Sequence, residues 1–213
     1  MLFKDRKDAG KQLIPPLIKY KDQKDAIVLG LARGGMVTAF EVAAGLNLPL
    51  NVVVVRKIGA PGNEELALGA IAEHGEGIFN EHLIGILGVS HDYLKIEMER
   101  QRKILKDRLE LYRSNSPSPS LNGKTIILVD DGIATGASMR VAIKSVRDAG
   151  TKKIVLAVPV AAPDSLRKIQ KEVDEVVCLS SPVFFEAVGG FYKVFGQTSD
   201  EEVVHLLASS KQT

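Results

Sequence analysis

Short apolar runs recur along the chain, and the stretches between them carry apolar residues at helical spacing. Continuous apolar runs are typical of parallel strands that are covered on both faces, and such strands alternate with crossover helices. The pattern predicts strands at residues 26–31, 51–56, 66–72, 125–129, 153–159 and 175–179. It predicts helices at residues 36–44, 139–149 and 163–171. We therefore expect an α/β fold with an open, mainly parallel, twisted sheet and helices on both faces.

Two further helical segments lie outside this alternation. Residues 90–112 place apolar positions at helical spacing among many charges, which predicts a long amphipathic helix with a solvated face. Ser199 and the acids that follow it fit a capping box, which predicts a last helix toward Leu207. Residues 114–120 form a Ser/Pro linker too short to divide domains. We expect one domain over residues 1–213, with a core at about 25–180 and a C-terminal segment with the last helix at about 181–209.

Composition narrows the class of protein. The 213 residues, 45% of them hydrophobic, suffice to bury one sizeable core. Lys and Arg number 28 against 26 acids, and this near balance gives no general reason to expect nucleic acid as a partner. No run is long and apolar enough for a membrane span, and the first residues lack the apolar core of a signal peptide, so we expect a cytoplasmic location. Cys178 lies in an apolar run and is expected to be a buried, inert thiol.

The most informative segment is residues 126–138, where an apolar strand ends in Asp130 and Asp131 and leads into a small, hydroxyl-rich turn before a helix. Unpaired N–H groups and the helix dipole favour a phosphate at such a turn. The two carboxylates cannot bind that phosphate, but they can accept hydrogen bonds from a vicinal diol, directly or through hydrated magnesium. The segment therefore predicts a sugar-phosphate site. The competing interpretation, an Asp-capped helix, explains one acid but not the second.

This segment resembles the phosphoribosyl-pyrophosphate (PRPP) motif of the type I phosphoribosyltransferases, which have a Rossmann-like core. The resemblance implies that Asp130 and Asp131 hold the ribose hydroxyls, with Mg²⁺ bound together with PRPP nearby. It implies that the 5′-phosphate lies in the loop formed by Ala134, Thr135, Gly136, Ala137 and Ser138. Gly132 stands where the family usually has an aliphatic residue, and we expect it to loosen local packing without removing a ligand.

A second strand-to-helix turn lies at residues 30–36, at the sheet edge where open α/β folds bind their ligands. It resembles the pyrophosphate loop of the same family, which implies that Ala32, Arg33, Gly34 and Gly35 hold the diphosphate. The family often has a non-proline cis peptide here, and the Ala32–Arg33 bond is its expected position. The alternative is a glycine turn that only packs a strand on a helix.

Residues 56–65 stand in the place of the family's catalytic flexible loop and are rich in Gly and Pro, which predicts a mobile stretch. The resemblance makes Lys57, and also Arg56, candidates to neutralise the leaving diphosphate, beside Arg33 and Asp131 as catalytic residues. Glu64 and Glu65 are candidate proton acceptors, although acids on a loop are usually solvated.

The chain's scarce aromatic residues concentrate near the C-terminus, where the family has a hood that stacks the acceptor ring. By resemblance Glu186 would read the edge of that ring, but a satellite hydrophobic cluster would explain the same aromatic residues. The hood candidates are Phe184, Phe185, Phe191 and Tyr192.

The resemblance implies transfer of the phosphoribosyl group from PRPP to a nitrogenous base or related heterocycle, as in nucleotide salvage, but not which one. Oxopurine enzymes of the family have an acid at the position of Ala134, whereas this turn is similar to adenine phosphoribosyltransferase. The Arg-Gly-Gly loop at residues 33–35 is instead closer to the oxopurine enzymes, so the resemblance favours neither substrate. Nearly the whole chain resembles a little-characterised group of bacterial phosphoribosyltransferases, and the family often forms homodimers. We expect no metal held by protein alone, no nucleic acid and no membrane as partners.

Two other functions compete with transfer. A PRPP site can serve as a sensor in a regulatory protein, and the 90–112 helix could present an interface to another protein. A nucleotide-binding dehydrogenase is disfavoured, since residues 30–35 lack the Gly-x-Gly-x-x-Gly order and no ribose-binding acid follows at the expected distance. The four histidines form no zinc motif.

Overall fold

The computed structural model of the chain describes residues 1–114 and 118–210. The middle of the predicted 114–120 linker and the side chain of Glu65 lie outside the described part. The strands are β1 Ala26–Leu31, β2 Leu50–Val53, β3 Arg56–Ala60, β4 Asn63–Ile71, β5 Ile78–Phe79, β6 Thr125–Val129, β7 Lys153–Val160 and β8 Glu175–Ser180. The α-helices are α1 Arg6–Leu17, α2 Gly35–Leu46, α3 Glu81–Ile86, α4 His91–Arg113, α5 Ala137–Asp148, α6 Pro163–Ile169 and α7 Asp200–Ser210; single 3₁₀ turns lie at Ile18–Tyr20 and Val188–Phe191.

The central sheet is parallel and has the order β2-β1-β6-β7-β8. Its middle strands are buried on both faces because alternate residues point to different layers: Val28 packs with α1 and α2, whereas Ile27 and Leu29 pack with α5. This arrangement confirms the predicted open α/β fold with helices on both faces. Since β1 and β6 are neighbours in register, the turns that follow them meet at the carboxyl edge of the sheet.

A second, three-stranded antiparallel sheet, β3-β4-β5, was not predicted. The predicted strand 51–56 divides, since β2 stops at Val53 and β3 starts at Arg56. The predicted strand 66–72 was placed in the wrong sheet, because it forms most of β4 and pairs with β3. Residues 57–65 are therefore a hairpin rather than an irregular loop, and its turn is made by Pro61 and Gly62, the latter at φ +72°.

The long predicted helix is α4, and the Ser90 hydroxyl oxygen caps it by accepting a hydrogen bond from the Tyr93 N–H at 3.2 Å. Ser199 likewise accepts a bond from the Glu202 N–H and caps α7, as predicted. Helix α1 was not predicted, because its pattern is interrupted by Pro15 and Pro16. Among the described residues, no helix combines the length and apolar character that a membrane span requires.

Candidate functional site

The turns after β1 and β6 lie in contact. A Cβ atom on Gly34 would come within 2.2 Å of Asp131 Oδ2, and one on Gly35 within 2.7 Å of Asp130 Oδ1. Gly34 has φ −58°, so its backbone conformation is open to any residue. Glycine is therefore required there by the close approach of the carboxylates. The two turns predicted to bind a ribose and a diphosphate therefore lie together at one edge of the sheet.

The peptide bond between Ala32 and Arg33 is cis, at the position expected from the family resemblance. Arg33, Gly34 and Gly35 follow the end of β1 within one tight turn that leads into α2. These residues were predicted to hold the diphosphate, and the structure brings them next to Asp130 and Asp131.

Asp130 and Asp131 are held differently although they are neighbours. Asp130 Oδ1 accepts a hydrogen bond from the Asp131 N–H at 2.8 Å. Burial of the Asp130 carboxyl raises its pKa, and the negative charge of Asp131 raises it further. The Asp131 carboxylate instead forms an ion pair, with Arg6 Nε 2.6 Å from Asp131 Oδ2. The site thus keeps one carboxyl that resists ionisation beside one that is paired.

Arg6 was not identified from the sequence. It lies at the start of α1, and its guanidinium also donates to the Gly196 carbonyl oxygen at 2.6 Å and lies 3.8 Å from the centre of the Phe195 ring. Its partner Asp131 is 125 residues away in the chain. No local motif marks such a pairing, so only the folded structure shows that the N-terminal helix contributes to the site.

The predicted 5′-phosphate loop forms the connection from β6 to α5. Gly136 has φ +75°, a conformation that favours glycine, and it allows α5 to begin at Ala137. The Ser165 hydroxyl donates to the Ala134 carbonyl oxygen at 2.6 Å and fixes the loop from α6. The loop residues Ala134, Thr135, Ala137 and Ser138 are exposed. The N-terminal N–H groups of α5 are therefore accessible to an anion.

Gly132 is buried, and the expectation that it loosens local packing is wrong. A Cβ atom there would lie 2.5 Å from Val188 and 3.0 Å from Val160. The side chain of Val188, from the 3₁₀ turn near the C-terminus, takes the space that an aliphatic residue at position 132 would need. Packing at this strand end is therefore tight.

Arg33 points toward the C-terminal helix. Its Nη1 lies 3.7 Å from Asp200 Oδ1, and 42% of its side chain is exposed. Asp200 also accepts a hydrogen bond from the Tyr112 hydroxyl at the end of α4. Burial raises the pKa of Tyr112, and the bond to the Asp200 carboxylate raises it further. Asp200 and Tyr112 were not identified from the sequence, because each belongs to a separate helix with an unremarkable amphipathic pattern.

Lys57 and Arg56 start β3, next to α4. Lys57 is exposed and pairs through its backbone with Ala70 of β4. Arg56 Nε donates to Gln101 Oε1 of α4 at 2.9 Å. Among the acids, the exposed Glu64 forms an ion pair with Arg100 at 3.3 Å, which supports solvation and charge pairing for it rather than proton transfer.

The four hood candidates divide into different environments. Tyr192 is buried, donates to the Asp131 carbonyl oxygen at 2.5 Å and packs on Phe3 with 5.4 Å between ring centres, as the satellite-cluster interpretation expected. Phe185 and Phe191 stack on each other at 5.2 Å. Phe184 is 93% exposed. Ring stacking on an acceptor stays a prediction, with Phe184 as the most accessible of these rings.

No group of three or more His, Cys, Asp or Glu residues within 1–114 and 118–210 is arranged to hold a metal ion. A metal at this site would depend on a ligand for most of its oxygen donors, and Asp131 and Asp130 are the carboxylates beside it. Cys178 is half-buried, and burial raises the pKa of its thiol, as expected for an inert cysteine.

Comparison with known proteins then decides the family. Residues 3–193 match the family model of the phosphoribosyl transferase domain. The chain belongs to this family. It is 45% identical over 208 residues to the Mycobacterium tuberculosis protein named "Putative phosphoribosyl transferase Rv0571c", covering 97% of this chain and 46% of that protein. The chain thus spans about half the length of that curated relative.

Two further relatives cover different shares of the chain. The crystal structure of TT1426 from Thermus thermophilus has 43% sequence identity and a TM-score of 0.80, covering 98% of this chain and 99% of that one. A uracil phosphoribosyltransferase of Lactobacillus gasseri is 31% identical over 138 residues, covering 61% of this chain and 63% of that protein. Neither relative identifies an acceptor for this chain.

Proposed function

We propose that the chain transfers the 5-phosphoribosyl group of PRPP to a ring nitrogen of a heterocyclic base and releases pyrophosphate. The observation that carries this proposal is the contact between the two turns, in which Gly34 and Gly35 lie against the carboxylates of Asp131 and Asp130. A 5′-phosphate, a ribose diol and a diphosphate are parts of one molecule, PRPP, and the site offers a group for each of them within one edge of the sheet.

Binding begins at the two ends of PRPP. The exposed N–H groups at the start of α5, with the Thr135 and Ser138 hydroxyls, donate hydrogen bonds to the 5′-phosphate. Asp130 and Asp131 accept hydrogen bonds from the ribose 2′ and 3′ hydroxyls. Holding both ends of the molecule fixes the anomeric carbon and lowers the entropic part of the barrier.

Bond cleavage leaves negative charge on the diphosphate and positive character on the ribosyl ring. Arg33, the N–H groups of Gly34 and Gly35, and Lys57 from the β3–β4 hairpin stabilise the leaving diphosphate. Mg²⁺ bound with PRPP near Asp131 and Asp130 would neutralise part of the diphosphate charge. The acceptor nitrogen attacks the opposite face of the ribose, where Phe184, Phe185, Phe191 and Tyr192 are the candidate hood residues.

The test measures pyrophosphate release from magnesium-PRPP by the purified chain with a panel of purines, pyrimidines and other nitrogen heterocycles. Asp131→Asn is the site variant, and Asp164→Asn is the matched control, since Asp164 is an exposed acid on α6 that pairs with Arg167. Release that depends on one base, and that fails in Asp131→Asn alone, supports the proposal and names the acceptor. Saturable PRPP binding without release under any base favours a PRPP-sensing protein. Absence of both binding and release contradicts the site assignment.

A further inference from the structure

Helix α4 carries one arginine, Arg108, that has no acceptor among the described residues. The other arginines of α4 are paired: Arg100 with Glu64 and Glu97, Arg102 with the Gly75 carbonyl oxygen, and Arg113 with Glu73. Arg108 is half-buried, and no described carboxylate or carbonyl oxygen accepts a hydrogen bond or ion pair from it. Arg108 lies three residues after the buried Leu105 and four before the buried Tyr112, so it belongs to the side of α4 that packs on the protein, and its N–H donors are free to bind an anion.

The position of Arg108 follows from the contacts on either side of it. Gln101, seven residues earlier and on the same helical face, accepts the hydrogen bond from Arg56 at 2.9 Å. Tyr112, four residues later, donates to Asp200, which pairs with Arg33. At 1.5 Å per residue, Arg108 lies roughly 10 Å along the axis from Gln101 and about 6 Å from Tyr112. Along the helix axis it therefore lies between the residue that contacts Arg56 and the residue that is linked through Asp200 to Arg33.

The electrostatics agree with this placement. Burial lowers the pKa of Arg56, and the positive charges of Arg108 and Arg100 lower it further. Tyr112 experiences the charges of both Arg108 and Arg33. The charge of Arg108 thus reaches the surroundings of Arg56 at one end and of Arg33 at the other. Of these three arginines only Arg33 has a carboxylate partner among the described residues, and that contact is a long one at 3.7 Å.

We infer that Arg108 completes the diphosphate subsite, so that α4 contributes a binding residue in addition to the turn at residues 32–35. The inference rests on the proposed function. A diphosphate carries several charged oxygens, and a planar guanidinium matches such oxygens with two parallel N–H donors. Arg108 and Arg33 then hold the diphosphate from two sides, with Arg56 positioned by Gln101 behind them. The free N–H donors of Arg108 then bind the diphosphate oxygens.

The experiment measures binding of inorganic pyrophosphate in the presence of magnesium by isothermal titration calorimetry. The variants are Arg108→Gln, which removes the charge, and Arg108→Lys, which keeps the charge but loses the planar fork. Lys103→Gln is the matched control, because Lys103 is an exposed cation on the opposite side of the same helix. Ribose 5-phosphate binding is measured in parallel as a probe of the 5′-phosphate loop, and thermal melting of each variant shows that it is folded.

Losing a charge-assisted pair of hydrogen bonds predicts at least a tenfold weaker pyrophosphate affinity for Arg108→Gln, and about threefold for Arg108→Lys. Lys103→Gln is expected to stay within about twofold of the wild type, since exposed charges act weakly through water. Ribose 5-phosphate affinity is expected to be unchanged in all three. If Arg108→Gln does not fold, the pyrophosphate affinity of Arg108→Lys alone tests the role of Arg108.

Two negative results differ in meaning. A wild type that binds pyrophosphate, with both Arg108 variants binding it equally well, overturns the role of Arg108 and leaves the proposed transfer reaction intact. A wild type that binds neither pyrophosphate nor ribose 5-phosphate overturns the proposed function and this inference together. A loss of ribose 5-phosphate affinity equal to the loss of pyrophosphate affinity would show that Arg108 supports the fold rather than the diphosphate, which also overturns the inference.

Discussion

The charged side chains at the two ends of the parallel sheet differ in how completely they are paired. At the amino end, where β7 and β8 begin, Glu175 accepts hydrogen bonds from Tyr20 at 2.6 Å and Lys153 at 2.9 Å, and it pairs with Lys19 at 2.8 Å. Burial alone would raise the pKa of Glu175, but these partners lower it to about 2. At this end the charges are matched, and the cluster stabilises the fold.

At the carboxyl end the charges are matched only in part. Asp131 pairs with Arg6, whereas the pKa of Asp130 is raised by burial and by the charge of Asp131. Arg108 has no acceptor among the described residues. The charged side chains at the amino end of the sheet therefore all have partners, whereas those at the carboxyl end lack some of theirs among the described residues. This difference agrees with the proposed binding site at the carboxyl end, since perturbed pKa values such as that of Asp130 are typical of functional sites.

Among the substitutions at the carboxyl end of the sheet, Gly34→Ala is expected to lower activity the most. A Cβ atom would lie 2.2 Å from Asp131 Oδ2, and 3.0 Å from Arg6 Nε, so the turn and the carboxylate would have to move apart. A displacement of this size is expected to lower turnover by about 100-fold or more, because reactive geometry tolerates little misplacement. The measurement is pyrophosphate release from magnesium-PRPP with the acceptor identified by the base panel.

Gly190→Ala is the control for that substitution. Nothing lies within 4 Å of a Cβ atom at Gly190, and its φ is not in the left-handed region, so activity is expected to stay within about twofold of the wild type. Equal activity in the two variants would show that the contact between the turns has no role in the reaction.

Asp130→Asn separates activity from stability at the carboxyl end. Asparagine can keep the hydrogen bond from the Asp131 N–H through its carbonyl oxygen, but it cannot supply a carboxylate to the ribose. Turnover is expected to fall roughly 10- to 100-fold, the loss that corresponds to one charge-assisted hydrogen bond. The free energy of unfolding at pH 7, measured by urea denaturation, is expected to be unchanged or higher.

The pH dependence of that variant sharpens the test. An acid with a raised pKa in the folded chain costs stability at every pH above its ordinary value of 3.8. The cost is largest above the raised pKa and declines as pH falls from there toward 3.8. The stability advantage of Asp130→Asn over the wild type is therefore expected to shrink on acidification. A variant that loses stability at pH 7 in proportion to its activity would place Asp130 among the stabilising charges instead.

The parallel sheet and both turns were predictable because their signals are local. A continuous apolar run, an acid pair and a small-residue turn lie within thirteen positions at residues 126–138, and each part constrains the next. The Ala32–Arg33 cis bond was expected from the resemblance of one short turn, and the structure has it there. Features of this kind can be predicted from neighbouring residues alone.

The remaining features depend on pairings between distant segments. Arg6 reaches Asp131 from a helix that two prolines obscure in the sequence, and Arg33 meets Asp200 only when α7 packs beside α2. Most of β4 was mistaken for a strand of the parallel sheet and β3 for part of a mobile loop, because the sequence of a strand does not specify its pairing partner. Gly132 was misjudged for the same reason, since Val188 fills its space from far along the chain.

Thr135→Ala tests one group of the 5′-phosphate loop without disturbing the fold. Thr135 is exposed, and its hydroxyl makes only a long contact of 3.5 Å with the Ala137 N–H, so its removal is not expected to change stability. Losing one hydrogen bond to a charged phosphate predicts about tenfold weaker ribose 5-phosphate binding by calorimetry. Thr135→Ser, which keeps the hydroxyl, is expected to restore most of the affinity. Weak binding by both variants would instead assign the effect to the threonine methyl group and the shape of the loop.

Glu175→Gln, at the other end of the sheet, is expected to have the smallest effect on activity and a clear effect on stability. Loss of the carboxylate leaves Lys19 and Lys153 without their shared partner, and a decrease of about 1–2 kcal/mol in the free energy of unfolding is expected at pH 7. Because the pKa of Glu175 is lowered from 4.5 to about 2, its stabilising effect is complete above the ordinary value and is lost as pH falls from 4.5 toward 2. Urea denaturation of wild type and variant should therefore converge across that range, while pyrophosphate release at pH 7 stays unchanged. Lower turnover in a folded Glu175→Gln would mean that the two ends of the sheet are coupled, and the separation between a stabilising end and a binding end would have to be abandoned.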